Sequence, residues 1–350
     1  MGDKTGIEWT DATWNPTTGC TKVSQGCKHC YAERDWPRLV HLPNYKGRAF
    51  TDVARHPVRL LQPLQWKKPR RIFVNSMSDL FHPDVPDEFI DEVFAVMGLC
   101  PQHTFQVLTK RARRQRDYLR SGGRASAVFD IMRTAEIGYY AGGDKLPPQS
   151  WPLQNVWIGV SVDDQATAEE RIPLLLQTPA AVRWISAEPL LGPIDMEMMR
   201  VAHDLGEGQP YLSPLLGYVS DGHGDTCRVD GLDWVVAGGE SGPKARPSHP
   251  EWFRSLRDQC KAAGVPFLFK QWGEWSPQAD TLLNGNIDAR LIDKAHTYYG
   301  TSAGFCPAEG MFRFGKKAAG RHLDGVLHDD YPEVATRTGG PDAEVTTRRK

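Results

Sequence analysis

Cys20, Cys27 and Cys30 fall within eleven residues, spaced C-x6-C-x2-C, while the other four cysteines of the chain stand singly. Thiolates gathered this closely are soft ligands for an inorganic centre. Three of them do not complete a tetrahedral thiolate site, and a structural zinc would want a fourth ligand at comparable spacing. An iron–sulfur cluster bound by three cysteines instead leaves one iron open, which is useful when a small molecule is to bind there. The incomplete ligand set is the feature around which the other residues are read.

A loop of this kind needs a scaffold, and from residue 71 the sequence supplies a rhythm. Apolar, β-branched or aromatic runs at 71–75, 104–109, 156–161, 182–186, 234–238 and 267–270 each end abruptly in polar or glycine residues. Their near-continuous apolarity predicts strands buried on both faces, as in a parallel sheet covered by helices. Residues 87–99, 165–177 and 250–263 carry apolar stripes at helical spacing between these runs, and a further helix is expected over 51–61. Six strands, with one more near the cysteine loop, predict a complete or partial (β/α) barrel, one domain over residues 1–326. Glycine-rich stretches near 121–150 and 200–230 read as loop insertions, and residues 327–350 as a flexible polar tail.

In a parallel barrel the strand ends converge on one face, where such folds place chemistry. The residues that follow the strands are Asn75, Ser78 and Asp79; then Lys110 and Arg111; Ser161, Asp163 and Asp164; Ser186 and Glu188; Gly238, Gly239 and Glu240; and finally Lys270, Gln271 and Trp272. Taken singly these are ordinary loop residues, but in succession they predict a pocket. Gly238 and Gly239 also admit a plainer reading, a turn that requires positive φ. Lys110 opens the basic run Lys110-Arg111-Ala112-Arg113-Arg114-Gln115-Arg116, which offers phosphate contacts to a nucleic acid or nucleotide or, alternatively, is a solvated helix face. Lys67 and Lys68 precede a strand and belong to the opposite end.

The net charge of −1 gives no global field that would select nucleic acid or exclude it. Seven cysteines behind an N-terminus without an apolar leader point to a reducing, cytoplasmic setting. No apolar run approaches membrane-spanning length, so no membrane partner is expected. Cys100 and Cys260 close helical patterns and read as small buried residues. Cys227 and Cys306 lie in loops and leave a second cluster open. The scattered histidines show no metal-ligand spacing, and Trp157, Trp184 and Trp234 sit in strand interiors as core residues.

The cysteine loop resembles the cluster-binding signature of the radical S-adenosylmethionine enzymes, whose usual spacing is C-x3-C-x2-C; here the first gap is three residues longer. A wider pattern comprises Trp14-Asn15-Pro16, Gly19-Cys20, Gly26-Cys27, Cys30-Tyr31-Ala32, the segment 73–81, Leu108-Thr109-Lys110-Arg111, Ala187-Glu188-Pro189, Gly238-Gly239-Glu240-Ser241-Gly242 and Lys270-Gln271-Trp272-Gly273. It resembles a phage- and prophage-encoded family of radical-SAM-like three-cysteine proteins. The resemblance implies a 4Fe-4S cluster on Cys20, Cys27 and Cys30. It also implies S-adenosyl-L-methionine at the open iron, a reductant supplying one electron, and a 5′-deoxyadenosyl radical that abstracts hydrogen from a substrate. It puts His29 beside the adenine and makes Gly238, Gly239 and Glu240 candidates for holding the methionine amino group, although the comparable glycines of those enzymes follow an early strand. Asn75, Ser78 and Asp79 compete for that role. Glu188 is read as a contact to the ribose or substrate, or as bonding only loop amides, and Lys110, Arg111, Lys270 and Trp272 are read as substrate contacts. A function of another class stays open: a non-catalytic zinc or iron–sulfur protein that binds nucleic acid. Oligomeric state is not readable.

Overall fold

The protein is described here by a computed structural model covering residues 5–134, 150–200, 211–220, 226–277, 297–298 and 310–333. Seven parallel strands form one sheet: β1 (Ala12–Trp14), β2 (Arg71–Val74), β3 (Thr104–Thr109), β4 (Val156–Val162), β5 (Val182–Ala187), β6 (Trp234–Gly238) and β7 (Phe267–Gln271). They are hydrogen-bonded in chain order, β1 to β7, and curl into a half-barrel. The strand expected near the cysteine loop is β1, which ends six residues before Cys20.

Both faces of the sheet are buried, which is why its strands read as unbroken apolar runs. Ile72, Val74, Phe105, Val107, Ile158, Ile185 and Val235 face outward into the core shared with the helices. Their alternating neighbours Phe73, Trp157, Trp184, Trp234 and Val236 face inward and fill the half-barrel together with Trp9. Gly159 lies opposite Trp184 in the β4–β5 register, and a Cβ there would come within 2.5 Å of the indole. The floor of the barrel is therefore packed side chains rather than a pore.

The helices on the outer face are α1 (Asp87–Gly98), α2 (Ala112–Arg120), α3 (Arg124–Arg133), α4 (Gln165–Leu176) and α5 (Pro250–Ala263). Helix α4 starts with a capping box between Asp164 and Thr167, and α5 is framed by the His249 cap, Pro250 and a left-handed Gly264. The three helices expected between strands all form. The helix expected over 51–61 does not: Ala54–Arg55 pairs with Thr17–Thr18, and Pro57 starts a short helix over Pro57–Leu60.

The presumed insertions carry their own structure. Part of 121–150 is α3, whose Val128 and Met132, one helical turn apart, are buried and belong to the core shared with α1. A ten-residue helix behind a double glycine, with few apolar positions, left too short a period to register in the sequence. Residues Met199–Arg200, Tyr211–Ser213, Tyr218–Ser220 and Thr226–Arg228 pair as a small antiparallel sheet. The rest of both stretches, residues 135–149, 201–210 and 221–225, lies outside the described residues, as does Cys306.

The compact body also runs past the expected boundary at 326. His328 and Asp330 bond the backbone of β7, with Phe269 N donating to His328 O at 3.0 Å. Trp234 Nε1 donates to Asp330 O at 2.8 Å, and Tyr331 lies against the Trp234 ring. The tail expected beyond this point, residues 334–350, is outside the described residues. No helix among the described residues is long and apolar enough to cross a membrane.

Candidate active site

The carboxyl ends of the strands surround a cavity of about 400 Å³. Cys20, Cys27 and Cys30 line it, with His29 and Tyr31 from the same loop, and Glu188, Gln271 and Lys270 from the ends of β5 and β7. The three thiols are free and half-buried. Cys27 ends a 3-10 turn over Gln25–Cys27, and Cys30 stands at the N-terminus of the short helix Tyr31–Asp35.

Each bend of the loop is tied down by a residue far away in sequence. Gly19 has φ +92°, and its N–H donates to Met77 O at 3.0 Å; a Cβ would meet Asp52 O at 2.4 Å. Cys20 N donates to Phe50 O at 2.9 Å. Asp163, fully buried at the end of β4, accepts from Ser24 Oγ at 2.5 Å, Gly26 N at 3.1 Å and Lys110 Nζ at 2.7 Å. Gly26 has to be glycine, because a Cβ would lie 2.1 Å from Asp163 Oδ1. Burial works to raise the Asp163 carboxyl, but the Lys110 ammonium, the Ser24 hydroxyl and the Arg171 charge together hold it below the ordinary carboxylate value.

Two arginines complete the brace, and both consume carboxylates that the sequence had reserved for a ligand. Arg111 donates to Thr21 O at 3.0 Å and to Asp79 at 3.1 Å, and stands 3.7 Å from Cys20 Sγ. Asp79 also accepts from Phe81 N, Thr109 Oγ1 and Lys110 N, so its oxygens are fully engaged. Arg246 holds both oxygens of Glu240 at 2.6 and 2.8 Å and reaches Gln25 O at 3.1 Å. Asp79 and Glu240 line the cavity, but as anchors of the cysteine loop rather than as open ligands.

Other assignments shift in the same way. Ser78 bonds Thr17 and bridges to Gly19, so it too holds the loop. Asn75 adopts φ 63°, which asparagine tolerates, and accepts from Thr17 N while its Nδ2 is buried without a partner. Gly238 and Gly239 do not have positive φ. They are glycines because a Cβ at 239 would lie 1.9 Å from Trp272 O and one at 238 would lie 3.3 Å from the Glu188 carboxyl carbon.

Trp272 is not at the cavity. It is 1% exposed, packs on Phe253 and Phe269, and donates to His322 O at 2.8 Å. A left-handed Gly273 directly after it turns the chain, and the indole continues the core while Gln271 and Lys270 carry the polar end.

The most prominent polar pair left facing the cavity is Glu188–Lys270. Lys270 Nζ lies 2.9 and 2.8 Å from the two Glu188 oxygens, and Gln271 Nε2 donates to the same carboxylate at 3.1 Å. The basic run contributes less than its composition suggested. Lys110 is paired with Asp163 and Arg111 with Asp79, while Arg114 bonds the His82 and Val85 carbonyls and Asp87. Arg113 alone of the run's cations is exposed. Sequence reasoning placed Asp163 at a strand end but had no signal for its grip on Gly26, and none at all for Arg246.

Three free thiols on one short loop are the donor type that a thiolate-bound cluster takes, while in the protein alone burial holds two of them toward the neutral thiol. Burial and the Asp79 charge push the Cys20 thiol up to about 12 against the pull of Arg111, and burial raises Cys30. Cys27 is near enough to act on both through its charge. Among the described residues, no three or more His, Cys, Asp or Glu side chains are grouped as ligands of a single metal ion. Cys100 and Cys260 are fully buried, as expected, and Cys227 is exposed.

The sequence model of a family described as "Protein of unknown function (DUF5131)" matches residues 4–332. No curated protein and no solved structure matches the chain.

Proposed function

We propose, from the premise that the chain belongs to the DUF5131 family of proteins of unknown function, that its cavity is the reaction site of a radical S-adenosylmethionine enzyme. Cys20, Cys27 and Cys30 would hold a 4Fe-4S cluster, with S-adenosyl-L-methionine bound beside it. The observation that carries the reading is that three free thiols and the polar ends of the barrel strands line one cavity. With one electron from an external reductant, these groups would supply sulfonium cleavage and a radical able to abstract hydrogen.

The chain's own residues bind and orient. Arg111 places an N–H and a positive charge 3.7 Å from the sulfur of Cys20, which offsets part of the burial that holds this thiol protonated. Glu188 and Lys270 present a fixed carboxylate–ammonium pair to whatever enters, and Gln271 locks the carboxylate in place. His29 lines the cavity beside Cys30, where the resemblance puts an adenine neighbour. Trp9, Phe73 and Leu108 supply the apolar wall that keeps water from the reacting atoms. Asp79 and Glu240 act one step back, through Arg111 and Arg246. The substrate in this reading is a nucleotide or nucleic acid.

Anaerobic reconstitution with iron and sulfide tests it. About four irons and four sulfides per chain, thiolate-to-iron absorbance, and 5′-deoxyadenosine after reduction are expected, all lost in Cys27→Ser. Stoichiometric zinc without iron, or a loaded protein that yields no 5′-deoxyadenosine, overturns the reading.

A further inference from the structure

We propose that the rim of the cavity on the cysteine-loop side binds the phosphate backbone of a nucleic acid strand and lays it across the mouth. The inference deepens the functional reading by naming the substrate class, and it rests on that reading only for the chemistry that follows binding.

Three chain segments widely separated in sequence build this rim. Arg34, from the helix behind Cys30, donates to Ser241 O at 3.3 Å. Arg313 donates to Pro243 O at 2.7 Å, and its guanidinium lies over the Trp275 ring. Arg246 reaches back to Gln25 O. These contacts gather the cysteine loop, the turn over residues 241–246 and the segment 311–317 side by side, with Arg34, Ser241 and Lys316 lining the cavity itself.

The gathered segments bring cations with them. Lys28, Lys244 and Lys317 are exposed, and each is without a carboxylate partner among the described residues. The nearby acids are already matched: Asp35 with Arg34, Glu240 with Arg246, Glu8 with Lys316 at 3.6 Å, and Glu274 with the Gly242 N–H and, at 3.9 Å, Arg313. Three unmatched cations thus lie on the segments that form the mouth, in a chain whose net charge is −1. That is the footprint of a phosphodiester backbone, whose neutralisation releases condensed counterions. Tyr31 adds a ring that is 43% exposed and lines the cavity, and such a ring offers a stacking face to a base brought to the mouth.

The basic run at 110–116 would have been the sequence-based choice for this role, but Lys110, Arg111 and Arg114 are consumed internally and Arg113 alone of its cations is exposed. The unmatched set is invisible in the sequence because its three lysines lie at 28, 244 and 317.

The test is equilibrium binding of labelled single-stranded DNA and RNA to the full chain without a reconstituted cluster, followed by fluorescence anisotropy over a salt series. Binding should weaken with salt along a straight log–log line. In the triple variant Lys28→Gln, Lys244→Gln, Lys317→Gln the slope should become shallower by about 2, since each single-strand phosphate contact contributes about 0.7. Over a fourfold rise in salt that slope difference is about 20-fold in affinity. Lys67→Gln, Lys68→Gln at the opposite end should leave the slope unchanged, and Tyr31→Leu should lower affinity about tenfold with the slope intact. Whichever of DNA and RNA binds more tightly names the sugar of the substrate. Absence of binding to either strand at low salt, or an unchanged slope in the triple variant, overturns the inference. Strand binding retained by a protein that makes no 5′-deoxyadenosine overturns the radical reading alone, and production of that nucleoside without strand binding overturns this one alone.

Discussion

Replacing Asp163 with alanine should loosen the cysteine loop more than any other single change outside it. The carboxylate is fully buried and bonds Lys110, Ser24 and the Gly26 N–H. Its removal leaves an ammonium without its counter-charge and two donors without an acceptor. Breaking one side of a buried pair typically costs about 3–5 kcal/mol. Lys110 keeps its bond to Ser161 Oγ at 2.6 Å, and its side chain is 19% exposed, so it can recover some hydration. The lower end, about 3 kcal/mol, is the expected loss in urea unfolding. A local readout should accompany it: faster modification of Cys27 by a thiol reagent in the folded protein, because Ser24 and Gly26 flank the turn on which Cys27 sits.

Lys110→Met should also destabilise, and the double variant should cost less than the sum of the single ones by about 1 kcal/mol or more, as coupled partners do. The sign of the pH effect follows from the depressed carboxyl. Its stabilisation is present above the ordinary value of 3.8 and is lost as pH falls through the lower folded value. Asp163→Asn should remove that part of the acid limb. A loss below about 0.5 kcal/mol with unchanged Cys27 reactivity would refute the assignment of Asp163 as the brace.

Two further outcomes follow from other contacts. His56, whose Nε2 lies 2.7 Å from Thr18 Oγ1, is held down to about 4 by burial and by the Arg59 and Arg48 charges. The unfolded chain takes up this proton first, so stability should fall by up to about 3 kcal/mol as pH drops from 6.5 towards 4; His56→Gln should flatten that interval in denaturant titrations, and an unchanged curve would contradict it. Gly239→Ala places a methyl against the Trp272 carbonyl, which cannot move aside, and should cost about 3 kcal/mol, whereas Gly238→Ala meets only the movable Glu188 side chain and should cost about 1. Equal shifts in thermal melting would mean that the close approach at 239 is not what selects glycine.

How much of this was legible in the sequence depended on the range of the interaction. Strands β2 to β7 showed in the apolar runs, because a sheet buried on both faces writes itself continuously into the chain. Helix α5 matched residue for residue, since Pro250 and Gly264 mark its ends. The cysteines and the strand-end face were equally plain, as both are local. What escaped was partnership. Asp79 and Glu240 look identical to free ligands in a sequence, and only the arrival of Arg111 from the end of β3 and the return of Arg246 within the segment that follows β6 show that they are taken. Trp272 follows a strand just as a pocket residue would, yet the turn at Gly273 commits its indole to the core. Residues 124–133 hid between glycines and a weakly patterned stretch, because ten residues of helix carry too few apolar positions to reveal a period.

The bracing of the cysteine loop by distant strands sets an order of events during synthesis. Ser24 meets its acceptor 139 residues later in the chain, and Gln25 meets Arg246 after 221. At ribosomal speeds of about 5–20 residues per second, the last brace emerges on the order of 10–45 s after the thiols do. Nascent Cys20, Cys27 and Cys30 therefore spend much of translation with only the nearer ties to Phe50 and Met77 within reach. The loop reaches its finished setting only once most of the polypeptide has left the ribosome.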